Sequence, residues 1–411
     1  MALRRNCGSG GENLVSEAEA ATLGDHATGR SVLMITSGIH LTNDACFALL
    51  YPLLPFISDD LGLSYAQIGL MKAVFSGASS VLQIPAGAVG SRYGEMLVLL
   101  VGNAWVGLGL VLMALTGSFL ALLLAAALGG IGGNAQHPLG SSIVSQAVPA
   151  RQMATALGTL NFSGDVGKLI GPFVAGIVAT QFGWRIALGS VGAFTVLFSL
   201  ALLLRGRSNG QHRERRNIAD EANQRLPFRP GFQNVVLAGA LDTATRGASL
   251  TFLSFVLVNK GFSAAAVSAL FAVIFAGGAA GKFLCGWMTD RWGALPVIVL
   301  TESVTAAALI VIYRGPVWST IPLVAVLGFM LNGTSSALNV SVAQFVPSTE
   351  RARGYGVYFT AALVSSAISP LAFGVLGDAA GLGVVFAGIA LMTVAVIPAV
   401  FPVRNGLDPA R

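Results

Sequence analysis

From residue 31 onward the chain alternates between apolar stretches and short breaks rich in Gly, Pro or polar residues. A helix needs roughly 20 residues to cross a hydrocarbon layer about 30 Å thick, and these stretches have that length. They predict membrane-spanning helices at 31–57, 66–89, 97–116, 118–147, 153–179, 184–205, 233–258, 265–289, 295–313, 318–346, 352–376 and 382–403, twelve in all. Residues 1–30 carry Arg4, Arg5, Glu12, Glu17, Glu19 and Asp25 without the apolar core of a secretory signal. They are expected to form a disordered N-terminal tail. Between the sixth and seventh stretches lies the long polar insertion RGRSNGQHRERRNIADEANQRLPFRPG, which divides the chain into a first half (31–205), a linker (206–232), a second half (233–403) and a short tail (404–411).

The two halves repeat one another. VSQAVPARQMATALG at 144–158 matches VAQFVPSTERARGYG at 342–356 at an offset of 198, which also places Gly171-Pro172 on Ser369-Pro370 and Asp44 on Asp242. GAVGSRYG at 87–94 matches GWMTDRWG at 286–293 at an offset of 199. The expected fold is therefore all-α and integral to a membrane, with twelve helices in two six-helix halves of the same orientation. Carriers built from repeats bind substrate near the bilayer midplane, between the halves.

Composition agrees: 54% of residues are hydrophobic and 10% charged, with a mean hydropathy of +0.75, against about 25% charged in a soluble domain. A net charge of +6 would fit nucleic acid, but its distribution points elsewhere. With both termini inside, 17 of the 24 Lys and Arg residues fall on inner segments, only Arg185, Lys260 and Arg314 on outer loops, and Lys72, Lys168, Arg246 and Lys282 within spans. This asymmetry predicts cytoplasmic termini and linker. Cys7, Cys46 and Cys285 are scattered and suggest neither a disulfide framework nor a metal site. No Gly-x-Ser-x-Gly, P-loop or metal-ligand spacing is present, so no cofactor and no enzyme activity are expected.

The fifth stretch concentrates the candidate chemistry. At about 100° per residue, Asn161, Asp165, Lys168 and Pro172 share one face of its helix, while Gly164, Gly167, Gly171 and Ala175 form a small-residue stripe suited to close helix packing. Acids and bases inside a bilayer are functional candidates by default. In the first helix His40, Asn43, Asp44, Phe47 and Tyr51 share a face; in the seventh, Asp242, Thr245, Arg246 and Ser249 do. Both faces are expected to line a central cavity, joined by Asn134 and Gln136 from the fourth helix and Asn332, Ser336 and Asn339 from the tenth. The pairs Asp165–Lys168 and Asp242–Arg246 are spaced to meet on one helix face. Asp44 has only His40 within a turn as a basic neighbour, which makes it the first candidate for proton binding. Asp165 and His137 follow, the latter beside Pro138 in a Gly-rich run. Lys72, Lys282 and Glu302 are read as structural, near helix ends where long side chains snorkel.

On these residues the chain resembles the major facilitator superfamily over 31–403. The loop after the second helix is similar to that family's Gly-x-x-x-Asp-Arg-x-Gly signature: the second copy is intact as Gly286, Asp290, Arg291 and Gly293, whereas the first keeps Gly87, Arg92 and Gly94 but has Ser91 for the acid. Gly158, Gly167, Gly171, Pro172 and Gly176 resemble the family's antiporter motif, with Ala175 replacing one glycine. HLTND at 40–44 and QHPLG at 136–140 resemble segments of fosmidomycin-resistance-type exporters. The resemblance implies alternating access, with gating by Gly87, Arg92, Gly94, Gly286, Asp290 and Arg291 and by the packing of Gly158, Gly167, Gly171 and Pro172. It implies proton-coupled export of a small anionic or amphiphilic drug-like molecule from a bacterial inner membrane, by a monomer whose partners are substrate, proton and lipid rather than nucleic acid. Uptake of a small organic acid with protons, or uniport, is the alternative.

Overall fold

A computed structural model describes residues 10–81, 86–133, 136–149, 152–206, 228–347 and 350–406. The described residues are almost entirely helical. In the first half the elements are α1 (Gly10–Ala48), α2 (Leu50–Leu61), α3 (Tyr65–Val81), α4 (Ala86–Tyr93), α5 (Glu95–Ala114), α6 (Phe119–Ile131), α7 (Gln136–Ala147) and α8 (Met153–Gly206). In the second they are α9 (Phe232–Asn259), α10 (Ala264–Trp292), α11 (Ala294–Arg314), α12 (Val317–Phe345) and α13 (Arg351–Val400), followed by a 3-10 turn, Phe401–Gly406. α1 runs into α2 as one span over Gly29–Leu61, while α3 with α4 and α6 with α7 make the second and fourth crossings. α8 and α13 each fold back at a glycine and so supply two crossings apiece, which gives the twelve spans expected. Residues 10–30, expected to be disordered, belong instead to α1; residues 1–9 and most of the expected linker, 207–227, lie outside the described residues.

The repeat reaches the backbone itself. Gly183 and Gly381, 198 residues apart, have the same torsion angles, φ 80° and ψ 167°. Gly94 and Gly293 open the third helix of each half at φ 94° and 85°, and Gly62 and Gly261 end the first helix of each at 61° and 88°. These left-handed values suit glycine, so punctuation of the helices is written into the sequence at equivalent points of both halves. An even number of crossings puts both termini on one face, called here the terminal face; the opposite one is the distal face.

Packing is asymmetric across the membrane. Toward the distal face one apolar core is continuous through both halves, joining Leu50, Leu53 and Leu54 of α2 to Phe252 and Leu253 of α9 and Phe271 and Ile274 of α10. Toward the terminal face the cores are separate: Ile39, Leu99, Leu100 and Leu139 in the first half, Val235, Val297, Leu338 and Phe345 in the second. The halves meet chiefly through α2 with α9 and α10, α3 with α13, and α8 with α10. The molecule is closed on its distal side and parted on its terminal side.

The distal closure adds close backbone contact to this apolar core. Gly69 of α3 faces the carbonyl of Pro370 in α13, and Gly374 of α13 faces that of Tyr65; a Cβ at either glycine would clash with backbone. Asp378 then accepts hydrogen bonds from the backbone N–H groups of Tyr65 (2.8 Å) and Ala66 (3.0 Å). A carboxylate of one half thus caps the exposed N-terminus of a helix of the other, where charge and the helix dipole both favour it. Within the first half Arg185 ties neighbouring distal loops together through the carbonyls of Ala114 and Thr116 and the carboxylate of Asp60 (2.7 Å).

Removing the Asp378 cap takes away two charge-assisted bonds worth about 1–3 kcal/mol together. Asp378→Ala is expected to open the distal side, seen as several-fold faster maleimide labelling of a cysteine placed at Phe255; unchanged labelling would mean the apolar layer alone holds the closure.

Candidate functional site

The small-residue stripe of α8 is what brings the charges together. Gly167 lies against the carbonyl of Leu41, and Gly171 against the carbonyl, Cα and Cβ of Ala45. A Cβ on Gly164 would stand 2.5 Å from Asp44 Oδ2 and 2.7 Å from His40 Nε2. The glycines therefore allow α8 to sit directly on α1, and Lys168 reaches across to Asp44. Gly176 continues the approach onto Ser268 of α10 in the other half. Gly158, at the terminal end of the same helix, has open space around it.

A chain of charged and imidazole groups results. Lys168 Nζ lies 3.0 Å from Asp44 Oδ2 and 3.3 Å from Asp165 Oδ1. His40 Nε2 is 3.5 Å from the same Asp44 oxygen, and the His40 and His137 rings meet edge to face at 5.1 Å. At the other end Lys282 of α10 bonds both oxygens of Asp165, at 2.8 and 3.1 Å. Asp165 is thus shared between a lysine of its own half and one of the opposite half. Asp44 is nearly buried at 5% exposed, while Lys168 and Lys282 are partly exposed and His137 and Asn161 are exposed toward the terminal side.

Several expectations change here. Asp44 is not poorly compensated, because Lys168, remote in sequence, neutralises it. Lys282 is not a snorkelling residue at a helix end but the link between halves. Glu302 is only 2% exposed and is a neighbour of Asp242, which pairs with Arg246 at 2.8 Å. Lys72 is likewise 2% exposed. A pattern of single helices cannot reveal these roles, since each depends on which helix faces it.

Asn43 is fully buried, with neither amide atom finding a partner. Phe47 packs on Phe75, and Tyr51 stacks on Phe271 of the other half at 6.2 Å. Asn332 donates to the carbonyl of Gly328 one turn back in its own helix, whereas Ser336 donates to the carbonyl of Lys282 and the Asn339 carbonyl accepts from Tyr355; the last two tie helices within the second half, and Ser336 also orients the helix that carries Lys282. Asn134 lies outside the described residues, as does the side chain of Gln136. Of the gating set, Gly87 lies in α4 and Gly286 in α10, while Arg92 and Arg291 are exposed on the terminal side over the rings of Tyr93 and Trp287. Asp290 is also exposed.

Ligand atoms of His40, Asp44 and His137 lie within 4.8 Å of one another, a spacing compatible with a metal ion. The ammonium of Lys168 already lies on the Asp44 oxygen that such an ion would need.

Comparison with known proteins agrees with this architecture. The sequence profile described as Major Facilitator Superfamily matches residues 36–237 and again 235–410, the two halves defined by the repeat. The chain is 28% identical over 381 residues to the fosmidomycin resistance protein of Escherichia coli (strain K12), covering 89% of this chain and 91% of that protein. It is 23% identical over 416 residues to a cis,cis-muconate transport protein of Acinetobacter baylyi (strain ATCC 33305 / BD413 / ADP1), covering 97% of this chain and 100% of that protein. In structure it is similar to a bacterial homologue of the human lysosomal transporter Spinster in an inward-facing, occupied conformation, with a TM-score of 0.76 at 18% identity, over 92% of this chain and 96% of that one. Two matched halves, each spanning one copy of the repeat, place this chain in the Major Facilitator Superfamily as a multi-pass transporter of small molecules rather than an enzyme.

Proposed function

We propose that the protein is a proton-coupled exporter of a small organic anion or anionic amphiphile, working by alternating access with its terminal face in the cytoplasm of a bacterial inner membrane. The observation that carries this reading is the sharing of Asp165 between Lys168 and Lys282. In the empty carrier this contact ties the two halves together at the cavity. A proton on Asp165 removes the charge that holds Lys282; an organic anion on Lys282 takes the lysine away instead. Either ligand releases the same latch, which is the condition for exchanging one against the other. Asp44 and His137 extend the path by which a proton reaches Asp165, through His40 and Lys168. The monomer suffices, since the cavity lies between the halves of one chain.

The charge asymmetry of the termini and linker supports the cytoplasmic assignment, and the matched fosmidomycin resistance protein supports export. A second reading has its own support: a proton on Asp165 leaves both lysines free for an anion, so the two ligands can also travel together. The matched cis,cis-muconate transport protein supports an organic acid as the solute. The exposed Arg92 and Arg291 would then form their gating contacts when the terminal side closes. The Asp242–Glu302 pair, two carboxyl groups against one guanidinium, adds a proton-binding position in the second half.

In sealed vesicles containing the purified protein, with an imposed pH gradient, a transported organic anion is expected to discharge the gradient in the sense of exchange. Movement of proton and anion in the same direction would establish the second reading, and anion flux without proton movement would remove coupling altogether. Asp165→Asn is expected to lower gradient-driven transport by about tenfold or more while solute exchange without a gradient continues; undiminished proton coupling in that variant would take Asp165 out of the mechanism. Glu302→Gln is expected to reduce the number of protons moved per solute, or the steepness of the pH dependence, without abolishing binding, whereas a purely structural Glu302 would leave both unchanged.

A further inference from the structure

Lys72 has no place in the latch, yet it is the buried cation whose charge is least answered. It sits midway along α3 and is 2% exposed. Its ammonium lies over the Tyr51 ring at 4.1 Å from the centroid and near that of Phe75 at 5.8 Å. Among the described residues no carboxylate comes within ion-pair distance of it, whereas Lys168 and Lys282 share Asp165, Arg246 has Asp242 and Lys260 donates to the carbonyl of Gly315. Aromatic faces offset part of the desolvation of a cation, but a buried charge without a counter-ion is rare and in a membrane marks a function.

Its surroundings resemble one end of a binding site. Tyr51 stacks on Phe271 and lies 6.4 Å from Phe275, both from the second half, so these rings bridge the two halves where the apolar core is continuous. Tyr51 is seven residues beyond Asp44, about 10 Å along the helix, so Lys72 stands deeper than the Asp44–Lys168–Asp165 group as seen from the open side. We infer that Lys72 is the anion-binding position at the closed end of the substrate site. It pairs with the carboxylate, phosphonate or phosphate-monoester group of a small organic acid whose apolar body packs against Tyr51, Phe47 and Phe75. This rests on the reading of the protein as a carrier of organic anions, and adds that the anion is seated at the apex of the cavity, with Lys282 its contact on the way in.

The test uses the purified full chain in detergent or lipid nanodiscs, with phenylphosphonate as the anionic probe and tetraphenylphosphonium as the cationic one. Phenylphosphonate is expected to raise the unfolding temperature of the natural protein. Lys72→Met should weaken its binding by about tenfold or more, and Lys72→Arg, which keeps the charge, should bind close to the natural protein; monodisperse elution of both variants shows that they fold. Equal binding of phenylphosphonate by Lys72→Met and the natural protein overturns the inference and leaves the anion to Lys168 and Lys282. Binding of tetraphenylphosphonium but not phenylphosphonate, or of neither probe, overturns it as well. In each of these cases solute-driven proton movement in vesicles still reports separately on whether the protein is a coupled carrier.

Discussion

A charge inside a hydrocarbon slab is costly without an opposite charge beside it, and in this protein the carboxylate of Asp165 answers two ammonium groups at once. One belongs to its own helix and the other to the opposite half of the molecule. Because an unpaired ion in this setting is costly, the halves cannot separate at this point unless something replaces the pairing. The rest of the architecture follows from that constraint: the polar atoms cluster where the halves face each other, and apolar side chains cover the outside.

The close approach that makes the pairing possible comes from missing side chains. Gly164, Gly167 and Gly171 let the fifth crossing lie against the backbone of the first, so Lys168 reaches an acid on a different helix. On the distal side Gly69 and Gly374 bring the second crossing against the eleventh in the same way, and Asp378 caps the helix end exposed there. Such contacts hold two helices at a fixed separation beside the apolar core that spans both halves.

The second half carries the same plan with different chemistry. Where Gly171 packs directly on Ala45 of the first crossing, its counterpart Ser369 donates a hydrogen bond to the carbonyl of Ala244. Asp242, equivalent to Asp44, pairs within its own helix with Arg246 and lies beside Glu302, rather than with a lysine of a neighbouring crossing. Repetition fixed the scaffold in both halves, and the polar groups mounted on it diverged. The facing sides of the two halves therefore carry different polar groups.

Much of this was legible in the chain alone. Twelve crossings, the two-half repeat, the glycines that end helices and the local pairs Asp165–Lys168 and Asp242–Arg246 depend on composition and on spacing within a single helix, which sequence displays directly. The links Asp44–Lys168, Asp165–Lys282 and Asp242–Glu302 do not, because each joins crossings far apart in the chain and depends on how helices rotate and pack. The same holds for Lys72, Lys282 and Glu302, which a linear pattern assigns to helix ends and the fold places in the interior. Hydrophobic period and turn residues determined what elements form; only the three-dimensional packing decided which charges meet, since ion pairing acts across space and not along the chain.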